Sequence, residues 1–454
     1  MHKKCRLALM PNRSLPEIDQ PLRQVVVIIG LGYVGLTLAA HLLDNGCRVY
    51  GVEIRDEILD TLKRGESPFH EPGLQEIIQN GVENNSFSFS NTVPILSEIC
   101  TFIITVGTPL DGNFTPNMTP ISRAAKQVQE KIKNGDLVIL RSTVLLGTTT
   151  DIVLPILEVS KKEFFLSFCP ERTIEGKALQ ELKYLPQIIG GVSNDSTVAA
   201  CNFFEGHTRE VVPVSSTKTA ELIKLVDNMQ RDAQFAISNE IALISTVCGV
   251  RAREVIEKGK LNYSRTNLPS PGPVGGPCLE KDSWILAKSL SQDLAASSIA
   301  ITARKMNLNV VEFGIKAVKD FINKSGKLSP KISVLGLAFK GVPETDDLRG
   351  SPSIQFIRSI LEHIPTATIF AWDPVVDNLN FNDSRIEIGS ELYESTLGAD
   401  VVILMNNHPV FESLNIEKLG ESVNQIALLY DFWDRFEKDS FRQGFSYIAW
   451  GFHE

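Results

Sequence analysis

A chain of 454 residues is too long for one comfortable hydrophobic core, and at roughly 100–200 residues per domain we expect three units. With 43% hydrophobic and 22% charged residues, and Gly and Pro scattered rather than gathered in tracts, the composition excludes a disordered or collagen-like chain. The net charge of −9 excludes the broad basic face that nucleic-acid phosphates require, and no apolar run approaches the roughly 18 residues that span a bilayer, so neither nucleic acid nor membrane is expected as a partner.

In chain order, residues 1–24 are basic at first but carry only Leu7, Ala8, Leu9 and Met10 as an apolar run, too short for a signal-peptide core, and read as a flexible extension. The seven cysteines stand apart, at Cys5, Cys47, Cys100, Cys169, Cys201, Cys248 and Cys278, with no CxxC pair and no zinc spacing. No metal is expected, and a reducing cytoplasm suits such thiols. From Val25, short β-rich runs alternate with helical segments, the mark of a parallel sheet with crossover helices. Val25–Ile29, Arg48–Val52, 101–106, Leu137–Leu140 and 164–168 read as strands of one doubly wound domain over 25–212.

The first strand runs directly into Gly30-Leu-Gly32-Tyr33-Val34-Gly35, with a helix beginning inside the glycines. Gly30 permits the tight turn, Gly32 lets backbone approach a pyrophosphate, Gly35 allows close helix–strand packing, and the helix N-terminus favours the anion. Glu53 closes the second strand, where an acid accepts hydrogen bonds from the adenosine ribose and repels a 2′-phosphate. NAD is therefore favoured over NADP, with Arg55 keeping the phosphorylated cofactor as the alternative.

The texture changes over 213–312, expected to be a central helical domain that builds a dimer. Thr217 to Cys248 carries Leu222, Leu225, Val226, Met229, Ala233, Ile237, Ile241 and Ile244 at helical period, with Gly249 as the stop. On this helix Lys224 and Asn228 stand at i and i+4, with Arg231 further along, a polar trio able to face one anionic centre. A glycine- and proline-rich loop over 269–277 leads to Cys278 and then to a helical stretch containing Asp282. A thiol at a helix N-terminus has a depressed pKa and more nucleophilic thiolate. Alternation resumes from Lys331, with strands at 332–335, Thr368–Trp372, 401–405 and 426–430, giving a second Rossmann-like domain over 313–454 without the three-glycine fingerprint.

Together these residues resemble the UDP-glucose/GDP-mannose dehydrogenase family, the nucleotide-sugar 6-dehydrogenases. Beside the glycine turn stand Val106-Gly-Thr108-Pro, Ser142-Thr143-Val144, Pro170-Glu171-Arg172 with Glu175-Gly176, Glu221-Leu-Ile-Lys224 with Asn228, Gly275-Gly-Pro-Cys278-Leu-Glu-Lys-Asp282, and Gly336-Leu-Ala-Phe339-Lys340 followed by Asp346-Asp347-Leu-Arg349. The resemblance implies a four-electron, NAD-dependent oxidation of the sugar C6 to a uronic acid, for precursors of a bacterial-type surface polysaccharide. The Cys278 thiolate would capture the aldehyde and carry it to a thioester. Lys224 and Asn228 would stabilise the oxyanion, and Asp282 would position water or accept a proton. Thr143 would hold a water and Glu171 would act as a general base.

By the same matching, Gly30, Gly32, Tyr33, Val34, Gly35, Glu53, Thr108 and Thr143 would line NAD. Arg172, Thr173, Glu175, Lys224, Asn228, Arg231, Gly275, Phe339, Lys340 and Arg349 would contact the UDP-sugar, Arg349 of its own or a neighbouring subunit in a homodimer or larger homo-oligomer. Arg172 and the Arg231-Asp232 pair resemble the branch acting on UDP-N-acetylhexosamines, with UDP-N-acetyl-D-mannosamine ahead of the glucosamine isomer. Three departures weigh against that assignment. Glu280 stands where most relatives have Pro, Pro277 where the acetamido branch commonly has His, and the segment from Lys340 to Arg349 is about two residues longer. UDP-glucose oxidation is the alternative, and a non-catalytic NAD or nucleotide-sugar sensor the rival from another class.

Overall fold

A computed structural model describes residues 24–376, 379 and 381–452, so the extension expected over 1–24 lies outside the described residues apart from Gln24. The first sheet comprises β1 (Val25–Ile29), β2 (Arg48–Val52), β3 (Phe87–Ser90), β4 (Cys100–Ile104), β5 (Leu137–Leu140), β6 (Phe165–Phe168), β7 (Gln187–Gly191) and β8 (Val211–Pro213). Their order is β3-β2-β1-β4-β5-β6-β7-β8, with every pairing parallel except the antiparallel β6–β7 step. The five residues of β1 are all buried, as they must be when helices cover both faces of a parallel sheet. Chain order reverses between β1 and β4, and the crevice beyond that switch point is where such sheets bind ligands.

Between the sheets lies a helical layer. The long helix Thr217–Cys248 starts at Ser216, whose side chain accepts from the Thr219 N–H, and stops at Gly249 with φ +68°. Its apolar period is only partly a core stripe. The face turned inward holds Glu221, Lys224, Asn228, Asp232, Ser238 and Asn239 beside Leu225, Ala236 and Ala242, while Leu222, Val226, Ile237 and Ile244 are exposed. Two stripes share one period, and period alone does not say which of them the rest of the chain covers. Asp232 binds the long helix to its neighbours through Arg304 at 3.2 Å, Asn307 Nδ2 at 2.7 Å and Ser283 Oγ at 3.0 Å. Removing one partner of so buried a pair costs about 3–5 kcal/mol.

The second sheet comprises β9 (Lys331–Leu335), β10 (Thr368–Trp372), β11 (Ile386–Ile388), β12 (Val401–Leu404), β13 (Ala427–Asp431) and β14 (Phe445–Ala449), all parallel in the order β11-β10-β9-β12-β13-β14. The helix Ile299–Ser325 runs straight through the boundary expected at 312, so this unit begins after Ser325. Among the described residues no helix is long and apolar enough to cross a membrane.

Candidate active site

The dinucleotide turn has the geometry its glycines require. Gly30 sits at φ +98°, and a Cβ on Gly35 would lie 1.9 Å from the Gly30 carbonyl oxygen, so only glycine lets the helix Tyr33–Asp44 pack so close to β1. At Gly32 the space is open, with Arg55 Nη2 at 3.9 Å the one neighbour. Glu53 is buried and accepts from Leu31 N at 3.0 Å and from Arg55 Nε and Nη2 at 3.1 Å each. Burial alone would raise its carboxyl, but Arg55 and the backbone N–H groups outweigh this and hold it below the ordinary range. Arg55 is thus committed to Glu53 rather than to a 2′-phosphate. Thr108 Oγ1 donates to the Thr143 carbonyl at 2.7 Å, joining two of the expected cofactor contacts, and Tyr33 donates its hydroxyl to Glu71. An open glycine, a helix N-terminus and a buried acid fit NAD.

Cys278 immediately precedes the helix Leu279–Ala287 and is solvent-accessible, although dense protein surrounds its thiol. Its loop is clamped by the second sheet domain: Gly276 N donates to the Gly350 carbonyl at 2.9 Å, and a Cβ on Gly276, at φ +95°, would meet the Phe339 ring at 2.5 Å. A Cβ on Gly275 would likewise strike the Gly350 oxygen at 2.1 Å. From behind, Asn239 exchanges two hydrogen bonds with Gly272, at 2.8 and 3.1 Å. Glu280 lies against Gly350, whose added Cβ would stand 2.4 Å from Glu280 Oε2.

The expected depression of the Cys278 pKa is corrected by this environment. Burial pushes the thiol up, the Lys224 ammonium pulls it down, and Asp282 pushes it up again, with a net rise. Asn228 Nδ2 donates to Asp282 Oδ2 at 2.5 Å, and Lys281 Nζ reaches Asp282 Oδ1 at 3.0 Å and Thr108 Oγ1 at 3.5 Å. Lys224, Asn228, Asp282, Thr108 and Cys278 therefore meet in one cleft. Arg231 is exposed, away from the buried pair, although its charge still helps depress Lys340.

Glu171 pairs with Arg141, 30 residues earlier and hidden from any local pattern, through Nε at 3.2 Å and Nη2 at 2.6 Å. Its other oxygen accepts from Arg172 N at 2.7 Å and Thr173 N at 2.8 Å. Burial opposes ionisation, yet Arg141 and these donors keep the carboxyl below its ordinary value, a placement suited to holding the loop more than to accepting a proton. The Arg172 side chain turns away to the Pro186 carbonyl at 2.6 Å and Asp227 at 3.6 Å.

Across the cleft, Lys340 Nζ donates to the Glu175 carbonyl at 2.6 Å. Arg349 chelates Asp347, with Nη2 2.5 Å from Oδ2, and reaches Glu175 Oε1 of the same chain at 3.5 Å. Burial, then Asp347, pushes Glu175 up to about 8, while burial lowers Lys340 to about 8.

Comparison with known proteins decides what this cleft belongs to. Residues 24–206, 218–309 and 333–438 match the NAD binding, central and UDP binding domains of one family. The chain belongs to the UDP-glucose/GDP-mannose dehydrogenase family. It is 30% identical over 401 residues to a UDP-N-acetyl-D-mannosamine dehydrogenase of Methanococcus maripaludis, covering 87% of this chain and 89% of the relative. It is also 30% identical over 418 residues to the Escherichia coli protein of that name, covering 88% and 96%. A solved structure of the Pyrococcus horikoshii UDP-D-ManNAc dehydrogenase superposes with a TM-score of 0.84 at 29% identity, covering 94% of this chain and 99% of the other. This nucleotide-sugar dehydrogenase accordingly uses NAD and binds its UDP-sugar with the domain that carries Lys340. Several of its site residues escaped the sequence reading: Arg141 had no signal, Lys281 was visible only as part of the cysteine motif, and Asp347 gains meaning only through its contact with Arg349.

Proposed function

We propose that this dehydrogenase oxidises C6 of UDP-N-acetyl-D-mannosamine to the uronic acid, four electrons in one cleft, through a covalent intermediate on Cys278. The meeting of Cys278, Lys224, Asn228 and Asp282, beside a loop clamped by the UDP-binding domain, supports the covalent route. The names of the relatives and the Arg172 position support the acetamido sugar. Bound NAD supplies the hydride acceptor, one molecule for each of two oxidations.

Within the chain, the positive charge of Lys224 favours the Cys278 thiolate, countering the burial that raises the thiol, and the thiol proton passes to solvent water. The thiolate sulfur then bonds to the C6 aldehyde carbon, and the carbonyl electron pair moves to oxygen, where Lys224 and Asn228 stabilise it. Loss of hydride from that carbon leaves a thioester, which water cleaves to carboxylate and free thiol. Asp282, held by Asn228 and Lys281, is the nearby acceptor for the water proton, and Thr143 shapes the water's position. Glu171 orders the loop that carries Glu175.

The acid fits the demand for a charged precursor of a surface polysaccharide, and unpaired thiols such as Cys278 and Cys248 suit a cytoplasmic setting. The exposed stripe Leu222, Val226, Ile237, Ile244 and Val247, recurring at near-whole turns on one face of the long helix, is the surface on which two copies would pair.

The test incubates the protein with NAD and a panel of UDP-sugars and counts NADH per sugar consumed. Two per UDP-N-acetyl-D-mannosamine is expected, and Cys278→Ser should release no uronic acid. A count of one, or normal turnover by the variant, refutes the covalent four-electron route, and strong preference for UDP-glucose refutes the sugar.

A further inference from the structure

The segment Phe69-His70-Glu71 belongs to none of the motifs considered so far, yet it contacts the dinucleotide turn, the loop at Gly176 and the segment at Asp346. Glu71 is 5% exposed, and one of its oxygens accepts both the Tyr33 hydroxyl, on the dinucleotide turn, and the Gly176 N–H at 2.7 Å. Its other oxygen accepts from Leu179 N at 3.4 Å. Gly176 N also donates to the Tyr33 oxygen at 2.9 Å, closing a three-membered polar knot. Gly176 directly follows Glu175, whose carbonyl holds the Lys340 ammonium, and its own backbone packs on the Glu344 carbonyl, 2.4 Å from where a Cβ would stand. One residue earlier, His70 N donates to Asp346 Oδ2 at 3.0 Å, next to the Asp347 that chelates Arg349.

The geometry points to Glu71 as a positioning residue that couples occupancy of the cofactor turn to the order of the loop holding the nucleotide sugar. The inference rests on the proposed use of this cleft. Tyr33 stands on the turn that would hold NAD; its ring lies 4.9 Å from that of Phe69 and its hydroxyl donates to Glu71. Burial and Glu71 push the Tyr33 pKa well above its ordinary value, so the phenol stays a donor across the working range. Fixing Tyr33 fixes Glu71, Glu71 fixes the Gly176 N–H, and with it the carbonyl that receives Lys340. Two ligands that order the same element must help each other bind.

Calorimetric titration of UDP into the full-length protein, with and without saturating NADH, measures this coupling without turnover. NADH should tighten UDP by about fivefold or more in the wild type. In Glu71→Gln, and independently in Tyr33→Phe, the factor should fall below about twofold, and the double variant should lose no more than either single one. Tyr33→Phe keeps the ring packed on Phe69, so it decides the matter if Glu71→Gln is poorly folded. A coupling factor retained in Tyr33→Phe, additive losses, or no coupling in the wild type overturns the inference. UDP and NADH serve whichever sugar is used, so a failed uronic-acid assay and a failed coupling assay are read separately.

Discussion

Nucleotide binding should weaken as pH rises through 8, and the structure sets the size of the effect. In the free protein Glu175 is raised to about 8 and therefore protonated at pH 7, while Lys340 is lowered to about 8 and still cationic there. Raising the pH through 8 strips a proton from each member of the pair, and each loss lowers the charge of the site. A bound diphosphate stabilises the ammonium and returns Lys340 towards its ordinary value of 10.5. Binding above pH 8 must then take up the missing proton. The protonated fraction of Lys340 falls from roughly nine-tenths at pH 7 to roughly one-tenth at pH 9, so through this group the Kd for UDP should rise about tenfold, or about 1.4 kcal/mol. Calorimetry at constant ionic strength from pH 6.5 to 9.5, repeated in buffers of different ionisation enthalpy, reads both the Kd and a proton uptake near one. In Lys340→Arg with Glu175→Gln neither group titrates in this range and the profile should flatten. A flat wild-type profile, or an unchanged slope in the double variant, refutes the reasoning.

Two further outcomes are expected. Asn239→Ala strips partners from both polar groups of Gly272, from Asn307 Oδ1 and from Trp450 Nε1, all buried around the cysteine loop. At about 1 kcal/mol or more for each unmet group, unfolding in urea should show a loss of about 3–5 kcal/mol, and a loss below about 1 kcal/mol contradicts the assigned role. Ile237→Asp with Ile244→Asp places charges in the exposed stripe without touching the monomer's core, and light scattering should report single chains. An unchanged mass moves the interface elsewhere.

The dinucleotide turn was legible because its three roles demand glycine at fixed spacing, and the positions of Gly30, Gly32 and Gly35 match those roles. The same holds for Cys278, Asn228 and Asp282, which neighbouring helices bring together. Strands β3, β7, β8, β11 and β14 were not read. Several are three or four residues long, and Phe445–Ala449 mixes Ser and Tyr among its apolar residues, so their identity comes from a neighbour's free ladder more than from their own pattern. The long helix shows the other limit: its length was plain, but which stripe meets the core depended on helices up to 75 residues away, such as the one bearing Asn307. The Cys278 pKa failed for a related reason. Helix position is local, whereas burial and Asp282 are supplied by the assembled cleft.

The clamp on the cysteine loop bears on how such proteins diversify. Because Gly275 and Gly276 press against Gly350 and Phe339, Cys278 takes its coordinates from the UDP-binding module. A chimera that exchanged only the C-terminal module with a relative would inherit a foreign seat for the thiol. The loop and its seat must change together, and Glu280, whose carboxylate lies against Gly350, is one of the contacts that would have to change with them.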